Sequence, residues 1–310
     1  MHLCIGTTPT VQLTMSFEHV ELDQVNRAKT VRRTASGKPI NVARVLTTIG
    51  ENTVVCIPVG SDTGRFLISD MDAAEIGHDC FAVKSPTRTC ATVIEHKNHT
   101  ATELIEEHGP LSSDECHGLL QTAQRWVSRC KTVVLSGSLA AGIPDDFYAQ
   151  ICRIAAEAKV PVILDARGAA LKLALSHRPM IVKPNRQELE ETLGVAVDDD
   201  VDLRKAMVVL HDMGAQWVVV TMGRNGAMLT DGVKFWKIPA ISIDVVSAIG
   251  SGDAFAAGLA AAISRGRDVP DACRLATACA AGNALISGAG FVRLEDVRRL
   301  ERLVRIEPLT

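Results

Sequence analysis

Apolar residues along the chain fall into short continuous runs separated by longer amphipathic stretches. The runs at 3–6, 54–60 and 132–135 are rich in Val, Ile and Leu, which is typical of strands buried on both faces. The stretches at 62–76 and 112–129 repeat their apolar residues at helical spacing. This alternation of strands and helices predicts an α/β fold with a parallel sheet.

A second pattern, the alternation of apolar and polar residues, appears at 10–15, 89–95 and 100–106. Period two predicts strands that are buried on one face only. The polar residues 96–99 join the last two strands, so we expect a hairpin there. Residues 241–246, a β-rich run, are likewise expected to be extended.

A glycine-containing turn followed by an apolar helix is the most informative stretch. The turn is Gly250-Ser251-Gly252-Asp253, and residues 254–263 after it are helix-prone and apolar on nearly every face. The first N–H groups of such a helix lack intrahelical partners and carry the positive end of its dipole. Glycines also let the backbone approach a ligand closely. The turn is therefore a predicted anion site.

Asp253, at the end of this turn, has two interpretations. It is either a carboxylate that caps the helix or a carboxylate that takes part in a reaction. In the chemical interpretation, Asp253 takes a proton from a hydroxyl while the turn stabilises charge on a transferred phosphoryl group. The residues of the turn alone leave both open.

Three other stretches carry candidate chemistry. Gly37 and Lys38 form a turn that opens a helix, in which Asn41 is either a local capping group or a ligand contact. Asn185 and Glu188 have the spacing of a capping box. A tight turn over residues 222–226 follows a central strand and by itself predicts a hairpin.

Length and composition limit the possible classes of protein. The chain has 310 residues, 47% of them apolar and 22% charged, which is enough for one large α/β domain with a small appendage. A net charge of −3 is unlike the strong positive charge typical of proteins that bind nucleic acid or a membrane surface. The nine cysteines are scattered without a C-x-x-C pair, so we expect reduced thiols and a cytoplasmic protein. No signal peptide or membrane-spanning run is expected.

Residues 244–255, Asp-Val-Val-Ser-Ala-Ile-Gly-Ser-Gly-Asp-Ala-Phe, closely resemble the C-terminal signature of the PfkB, or ribokinase-like, carbohydrate kinases. The branch that they resemble contains 1-phosphofructokinase and tagatose-6-phosphate kinase, and the resemblance extends over essentially the whole chain. It implies a single ribokinase-like domain over 1–310, with a parallel-rich central sheet and helices on both faces. It also implies a small discontinuous β lid at roughly 10–36 and 87–106.

The resemblance implies ATP-dependent phosphorylation of a sugar phosphate, most similar to that of 1-phosphofructokinase, with tagatose-6-phosphate kinase as the alternative. Asp253 would be the base, the backbone of Gly250, Ser251 and Gly252 would stabilise the transferred group, and Mg²⁺ would bridge the ATP phosphates. Glu188 would organise the Mg²⁺, through water. The acceptor-binding residues implied are Gly37, Lys38, Asn41, Arg88 and Ser138, and those for ATP are Lys183, Asn185, Glu188, Thr221, Gly223, Gly226 and Asn283.

The chain departs from the family pattern at several positions. Gln12 stands where the family often has an Asp that contacts sugar hydroxyls, and Ser36 and Pro39 replace glycines. Ser247 and Ala248 replace an Asp-Thr pair that binds a potassium-like ion in many members, so we expect weak or no activation by potassium.

Two other classes of function remain for comparison. A nucleotide-binding oxidoreductase is disfavoured because no Gly-x-Gly-x-x-Gly follows the first strand. A non-catalytic sugar-phosphate sensor on the same fold is consistent with the departures, but the presence of Asp253 beside an intact glycine turn favours an enzyme. The resemblance also implies a homodimer joined through the lid strands.

Overall fold

Among the residues that the structure describes, nine strands form a sheet at the centre of the protein. The structure is a computed structural model and describes residues 1–98 and 100–309. The strands are β1 (His2–Ile5), β2 (Thr10–Phe17), β3 (Thr30–Ser36), β4 (Thr53–Cys56), β5 (Pro58–Val59), β6 (Phe81–Ala82), β7 (Arg88–Glu95), β8 (Thr100–Ile105), β9 (Thr132–Ser136), β10 (Val162–Asp165), β11 (Ile181–Val182), β12 (Trp217–Thr221), β13 (Ala227–Thr230), β14 (Phe235–Ile238) and β15 (Glu307–Leu309).

Helices cover both faces of this sheet. They are α1 (Lys38–Thr48), α2 (Ser61–Ala73), α3 (Ser113–Val127), α4 (Phe147–Glu157), α5 (Gly168–Leu175), α6 (Arg186–Leu193), α7 (Asp200–Asp212), α8 (Ser251–Ser264), α9 (Val269–Ala284) and α10 (Leu294–Glu301). Alternate residues of the central strands belong to different apolar cores, Cys4 to one and Leu3 and Ile5 to the other. Burial on both faces explains the continuous apolar runs of the sequence.

The main sheet has the order β15-β14-β13-β12-β11-β10-β9-β1-β4. The strands from β4 to β12 in this order are parallel, and β13, β14 and β15 are antiparallel additions at one edge. The predicted α/β class, with a parallel-rich sheet between two helical layers, is therefore confirmed.

Two expected strands differ from the structure. The run at 54–60 is not one strand, because the chain leaves the main sheet after Cys56 and Pro58 begins β5, which pairs with β6. Pro58 has no N–H with which to continue the ladder. Residues 241–246 form no strand either. The N–H of Val246 bonds instead to the carbonyl of Ala284 at the end of α9.

A second, four-stranded sheet has the order β3-β2-β7-β8. Its strands lie within the segments 10–36 and 87–106, and β7 and β8 form the predicted hairpin. Residue 99, in the predicted turn of this hairpin, lies outside the described residues. Every residue of β8 is exposed, and β8 is an edge strand.

Helix α8 is buried along most of its length, as its composition predicts. Eleven of its fourteen residues, from Asp253 to Ile263, are buried. It packs closely on α9: a Cβ at Gly258 would lie only 2.5 Å from the Cα of Ala276. This contact fixes the helix that carries Asp253 against its neighbour.

Candidate active site

The candidate active site lies where the carboxyl ends of the central parallel strands meet the start of α8. Open parallel sheets bind ligands at this edge. Asp165 ends β10, Lys183 follows β11, and Asp253 lies in the first turn of α8. The chain folds these residues together from three separate parts of the sequence.

Asp253 does not cap its helix. The N-cap residue is Gly250, and no side chain bonds to the cap among the described residues. The Asp253 side chain accepts a 2.8 Å hydrogen bond at Oδ2 from Nδ2 of Asn41, and only 6% of the residue is exposed. The capping interpretation of Asp253 is therefore wrong, while the chemical one fits this position.

Gly250 makes the turn before Asp253 possible. Its φ of 82° is in the left-handed region, which favours glycine. A Cβ at this position would also lie 2.6 Å from the Cα of Ala289. Both the dihedral angle and the close packing therefore require a glycine here, as the sequence predicts for a tight turn.

The surroundings of Asp253 raise its pKa to about 6, mainly through burial, which disfavours the charged carboxylate. The negative charge of Asp165 adds to the rise, and the positive charge of Lys38 opposes it. A carboxylate with such a pKa is mostly ionised at neutral pH yet is a stronger proton acceptor than an exposed aspartate. These are the properties of a general base.

Asn41 is a buried neighbour of Asp253. Its Oδ1 accepts a 2.9 Å hydrogen bond from the hydroxyl of Ser36, and its Nδ2 donates to Asp253. Ser36 thereby orients the amide so that its NH₂ group faces the carboxylate. Ser36, a departure from the family pattern, thus has a structural role, and the Asn41 amide bonds to protein groups at both of its ends.

A cluster of opposite charges lies beside Asp253. Oδ1 of Asp165 is 3.4 Å from Nζ of Lys38 and 3.3 Å from Nζ of Lys183. Nζ of Lys38 is also 3.4 Å from Oε1 of Glu188. Oδ2 of Asp165 is buried and has no partner among the described residues. One carboxylate therefore joins two lysines that the sequence assigns to different ligands.

The charges in this cluster reinforce one another. Burial opposes the charge of Asp165, but the two ammonium groups outweigh it and hold the pKa of Asp165 below its usual value. Burial also opposes the charge of Lys38, and the neighbouring carboxylates, Asp165 first among them, raise the pKa of Lys38 above its usual value. Both residues are therefore charged in the folded protein at neutral pH.

Several residues predicted to bind the acceptor meet around the turn after β1. Nη2 of Arg88 donates to the carbonyl of Thr8 at 3.1 Å, and a Cβ at Gly37 would lie 3.3 Å from the same oxygen. The backbone of Ser138 is joined to the same turn, since its carbonyl accepts a 3.1 Å hydrogen bond from the Thr7 hydroxyl. The Ser138 residue is exposed. The turn after β1 thus brings these three predicted residues together.

Two of the residues predicted to bind ATP, Lys183 and Glu188, belong to the charged cluster, and others lie close to it. Asn185 forms an isolated parallel bridge with Thr221, which places the two next to each other. Asn185 also caps α6 in a capping box with Glu188, as the spacing predicts. Gly223 and Gly226 lie at the ends of a short turn between β12 and β13. The predicted nucleotide residues are therefore grouped, apart from Asn283.

Asn283 is placed differently from what the resemblance implies. It is fully buried in the last turn of α9. Its Nδ2 donates to the carbonyl of Ile249 at 2.8 Å, and its Oδ1 accepts from the N–H of Gly290 at 2.8 Å. With no exposed surface and with its amide bonded to the protein, the side chain does not have the environment of an adenine contact.

Comparison with known families agrees with this arrangement. The family model described as "pfkB family carbohydrate kinase" matches residues 3–295. The chain belongs to the pfkB family of carbohydrate kinases. Its members transfer phosphate from ATP to a sugar, and the chain is a sugar kinase of this type.

Solved structures of pfkB-type kinases have the same fold. A Staphylococcus aureus protein with a provisional phosphofructokinase assignment is 28% identical, with a TM-score of 0.83 over 100% of this chain and 99% of that one. A Thermotoga maritima protein provisionally assigned as a 1-phosphofructokinase is 21% identical, with a TM-score of 0.91 over 100% and 99% of the two chains. Escherichia coli phosphofructokinase-2, solved with potassium, is 22% identical, with a TM-score of 0.88 over 97% of each chain.

One residue of this candidate site, Asp165, is not among those predicted from the sequence. Its signal in the sequence is a carboxylate at the end of a buried strand, at the edge where α/β sheets bind ligands. Its pairing with Lys38 and Lys183 depends on the fold.

Among the helices of residues 1–98 and 100–309, none has the length and apolarity needed to cross a bilayer.

Proposed function

We propose that this pfkB kinase phosphorylates a hydroxyl of a sugar phosphate, most similar in substrate to 1-phosphofructokinase. Asp253 is the general base, and the backbone N–H groups of Gly250 and Gly252 stabilise the transferred phosphoryl group. The N–H of Ser251 donates to the carbonyl of Ala248 at 3.1 Å and so shapes the turn. The observation that carries this proposal is the position of Asp253, buried at the start of α8 and directly beside that turn.

Contacts between residues predicted for the two substrates support this assignment. Lys38, on the acceptor side, contacts Glu188, which lies on the nucleotide side. A Cβ at Gly252 would be 3.7 Å from Nζ of Lys183. In this proposal Lys38 holds the acceptor and Lys183 holds the terminal phosphate of ATP. The acceptor hydroxyl and that phosphate would then meet next to Asp253. Phosphoryl transfer depends mostly on such positioning and on charge stabilisation.

The route of the proton follows from the contacts of Asp253. Asn41 holds Oδ2, and Oδ1 has no hydrogen-bond partner among residues 1–98 and 100–309. In the proposed reaction the acceptor O–H bond breaks, its proton passes to Asp253, and the oxygen forms a bond to the phosphorus. The bond to the leaving phosphate oxygen of ATP breaks in the same transfer.

The residues at the cluster fit a Mg²⁺ ion that keeps most of its water. Oδ2 of Asp165 is a buried carboxylate oxygen without a described partner, and Glu188 lies across Lys38 from it. No group of three His, Cys, Asp or Glu in the described part of the chain is arranged to hold a metal directly. Magnesium commonly binds through one or two carboxylates plus phosphates. When bound, it would neutralise charge on the ATP phosphates.

A phosphorylated acceptor is supported by the cations on that side. Arg88 has a planar guanidinium suited to phosphate, and its Nε is buried without a partner among the described residues. The Arg88 side chain is held beside the turn after β1 by the carbonyls of Thr8 and Glu106. Arg88 thus offers positive charge to an acceptor that already carries a phosphate, whereas Lys38 is paired with the carboxylates of Asp165 and Glu188.

The four-stranded sheet is proposed to cover the acceptor as a lid. Gln12 and Thr92 on this sheet line a small cavity with Ser247 and Ile249, which precede the glycine turn. Nε2 of Gln12 donates to the Thr92 hydroxyl at 2.9 Å. In this proposal the lid offers amide and hydroxyl groups to the acceptor, at a position where the family often has a carboxylate.

A coupled assay of ADP release tests the function and its acceptor. The acceptors compared are fructose 1-phosphate, fructose 6-phosphate, tagatose 6-phosphate and the unphosphorylated sugars. We expect kcat/KM to be highest for a sugar phosphate, with fructose 1-phosphate first. A preference for an unphosphorylated sugar would contradict the sugar-phosphate assignment, and no ADP release with any acceptor would favour a sensor.

A further inference from the structure

We propose that Asn283 is a positioning residue that holds the glycine turn in its anion-binding shape. The inference rests on the proposed role of Gly250 to Asp253 in catalysis. Asn283 lies in the last turn of α9, and α9 packs along α8, the helix that begins with this turn. A residue here can act on the turn without touching a substrate.

The Asn283 amide joins two separate backbone segments. Nδ2 donates to the carbonyl of Ile249, the residue before Gly250, at 2.8 Å, and approaches the Ser251 hydroxyl at 3.3 Å. Oδ1 accepts from the N–H of Gly290 at 2.8 Å. A single side chain therefore fixes both sides of the turn to the loop at 288–290.

Buried backbone groups explain why an amide is needed here. A buried carbonyl or N–H without a partner destabilises the folded state. Ile249 presents a carbonyl and Gly290 presents an N–H, so the bridging side chain must have both a donor and an acceptor. Asn has both on a short side chain, whereas Asp at neutral pH has only acceptors.

The loop held by Asn283 lies between the glycine turn and Asn41. A Cβ at Gly250 would be 2.6 Å from the Cα of Ala289, and a Cβ at Gly290 would be 2.7 Å from the Cα of Asn41. Asn41 in turn donates to Asp253. A shift of this loop would therefore move both the N–H groups of the turn and the residue that orients the base.

Kinetics of two variants distinguish positioning from adenine contact. Asn283→Ser shortens the side chain so that it cannot bridge Ile249 and Gly290. Asn283→Asp keeps the size of the side chain but removes the donor to Ile249. We expect kcat to fall about tenfold or more in both, with KM for ATP within about twofold of wild type and the preference for ATP over GTP unchanged. An adenine contact would instead raise KM for ATP and reduce that preference.

Thr277→Ala is the matched control, since Thr277 lies buried in the same helix and its hydroxyl has no partner among the described residues. It should keep kcat within about twofold. If Asn283→Asp matches wild type in kcat while Asn283→Ser does not, the side chain only fills space and the proposal is wrong.

Amide hydrogen exchange gives a readout that does not depend on activity. In Asn283→Ser we expect faster exchange in the segments 247–253 and 286–291 and unchanged exchange in β9. Unchanged exchange in both segments would overturn the positioning role even if kcat fell. If the wild-type chain released no ADP, the catalytic proposal would fail, while faster exchange in these segments would still support Asn283 as the residue that shapes the turn.

Discussion

Nδ2 of Asn41 donates a 2.8 Å hydrogen bond to Oδ2 of Asp253 across 212 positions of the sequence. The first helix of the protein thus orients the carboxylate at the start of α8. Because Ser36 fixes the other end of the Asn41 amide, the carboxylate is held by a chain of two hydrogen bonds. This arrangement suits a base that must point at one hydroxyl.

Replacing Asp253 by Asn tests its role as a base. The change keeps the shape and leaves the N–H groups of the glycine turn in place, but it removes the proton acceptor. General-base assistance is typically worth ~10²- to 10⁴-fold, so we expect kcat to fall by at least about two orders of magnitude. Affinities for ATP and the sugar phosphate should change little. Steady-state kinetics that showed most of kcat retained would remove Asp253 from the mechanism.

The same variant should fold normally and gain stability at neutral pH. Because the pKa of Asp253 is raised in the folded state, the folded protein binds the proton more tightly, and stability falls as pH rises from about 4 to about 6. The cost is full above pH 6 and is of order 3 kcal/mol at most, from a pKa of about 6 against 3.8. Urea unfolding of Asp253→Asn should show a gain at pH 7.5 that disappears near pH 3.5.

Activity should depend on pH through the same carboxyl group. The pKa of Asp253 is about 6, raised by burial, and protonation removes the base. We expect kcat/KM to fall about tenfold for each pH unit below that value. An exposed aspartate would keep its activity to about pH 4. A profile that is flat from pH 7.5 to 4.5, with the fold intact by circular dichroism, would contradict this assignment.

Arg88→Ala should weaken binding of the phosphorylated acceptor. Hydrogen bonds to charged groups contribute roughly 1.5 to 3 kcal/mol, so KM for the sugar phosphate should rise roughly tenfold to a hundredfold. KM for ATP should stay nearly unchanged. Arg33→Ala is the control, because Arg33 is also on the four-stranded sheet but stacks on Phe66. Normal use of the sugar phosphate by Arg88→Ala would exclude a phosphate contact.

Potassium should activate the enzyme weakly or not at all. Ser247 and Ala248 lack the carboxylate that a monovalent cation would bind. The Ser247 hydroxyl bonds to the N–H of Ile249, and Ser247 is buried. Initial rates in potassium chloride and in tetramethylammonium chloride at equal ionic strength should agree within about twofold. A several-fold higher rate in potassium would show that a cation site exists.

A homodimer should form through the lid sheet. The edge strand β8 is exposed throughout, with Leu104 57% and Ile105 58% exposed, and an exposed edge of this kind tends to be paired or covered. Light scattering at micromolar concentration should give twice the chain mass for wild type. The double change Leu104→Glu, Ile105→Glu should give a monomer, whereas Val209→Glu, at an exposed position on α7, should not. A monomeric wild type would contradict the interface.

The sequence predicted those elements whose signal is local. The capping box of Asn185 and Glu188, the buried α8 and the β7–β8 hairpin depend on neighbouring residues, and all three are present. The prediction of extended chain at residues 241–246 was wrong, because a β-rich composition does not show whether a neighbouring strand is available for pairing. Here β15 pairs with β14 and forms that edge of the sheet.

The candidate site was harder to predict in its contacts than in its members. The role of Asp165 depends on two lysines, and Lys38 lies 127 positions away from it in the chain. Asn283 is a second example. Its sequence position suggested contact with a ligand, whereas in the structure it is buried and its side chain bonds to backbone groups. Which partner satisfies a polar side chain is a property of the fold and not of the motif.

The close contact of Gly258 with Ala276 has a consequence for how this kinase can evolve. No larger side chain fits there without moving α8, the helix that carries the proposed base. Substitutions at the contact between α8 and α9 are therefore poorly tolerated. Gln12 and Arg88 lie elsewhere, on strands of the separate, smaller sheet. If that sheet is the proposed lid, new acceptor preferences can arise in it while α8 stays the same.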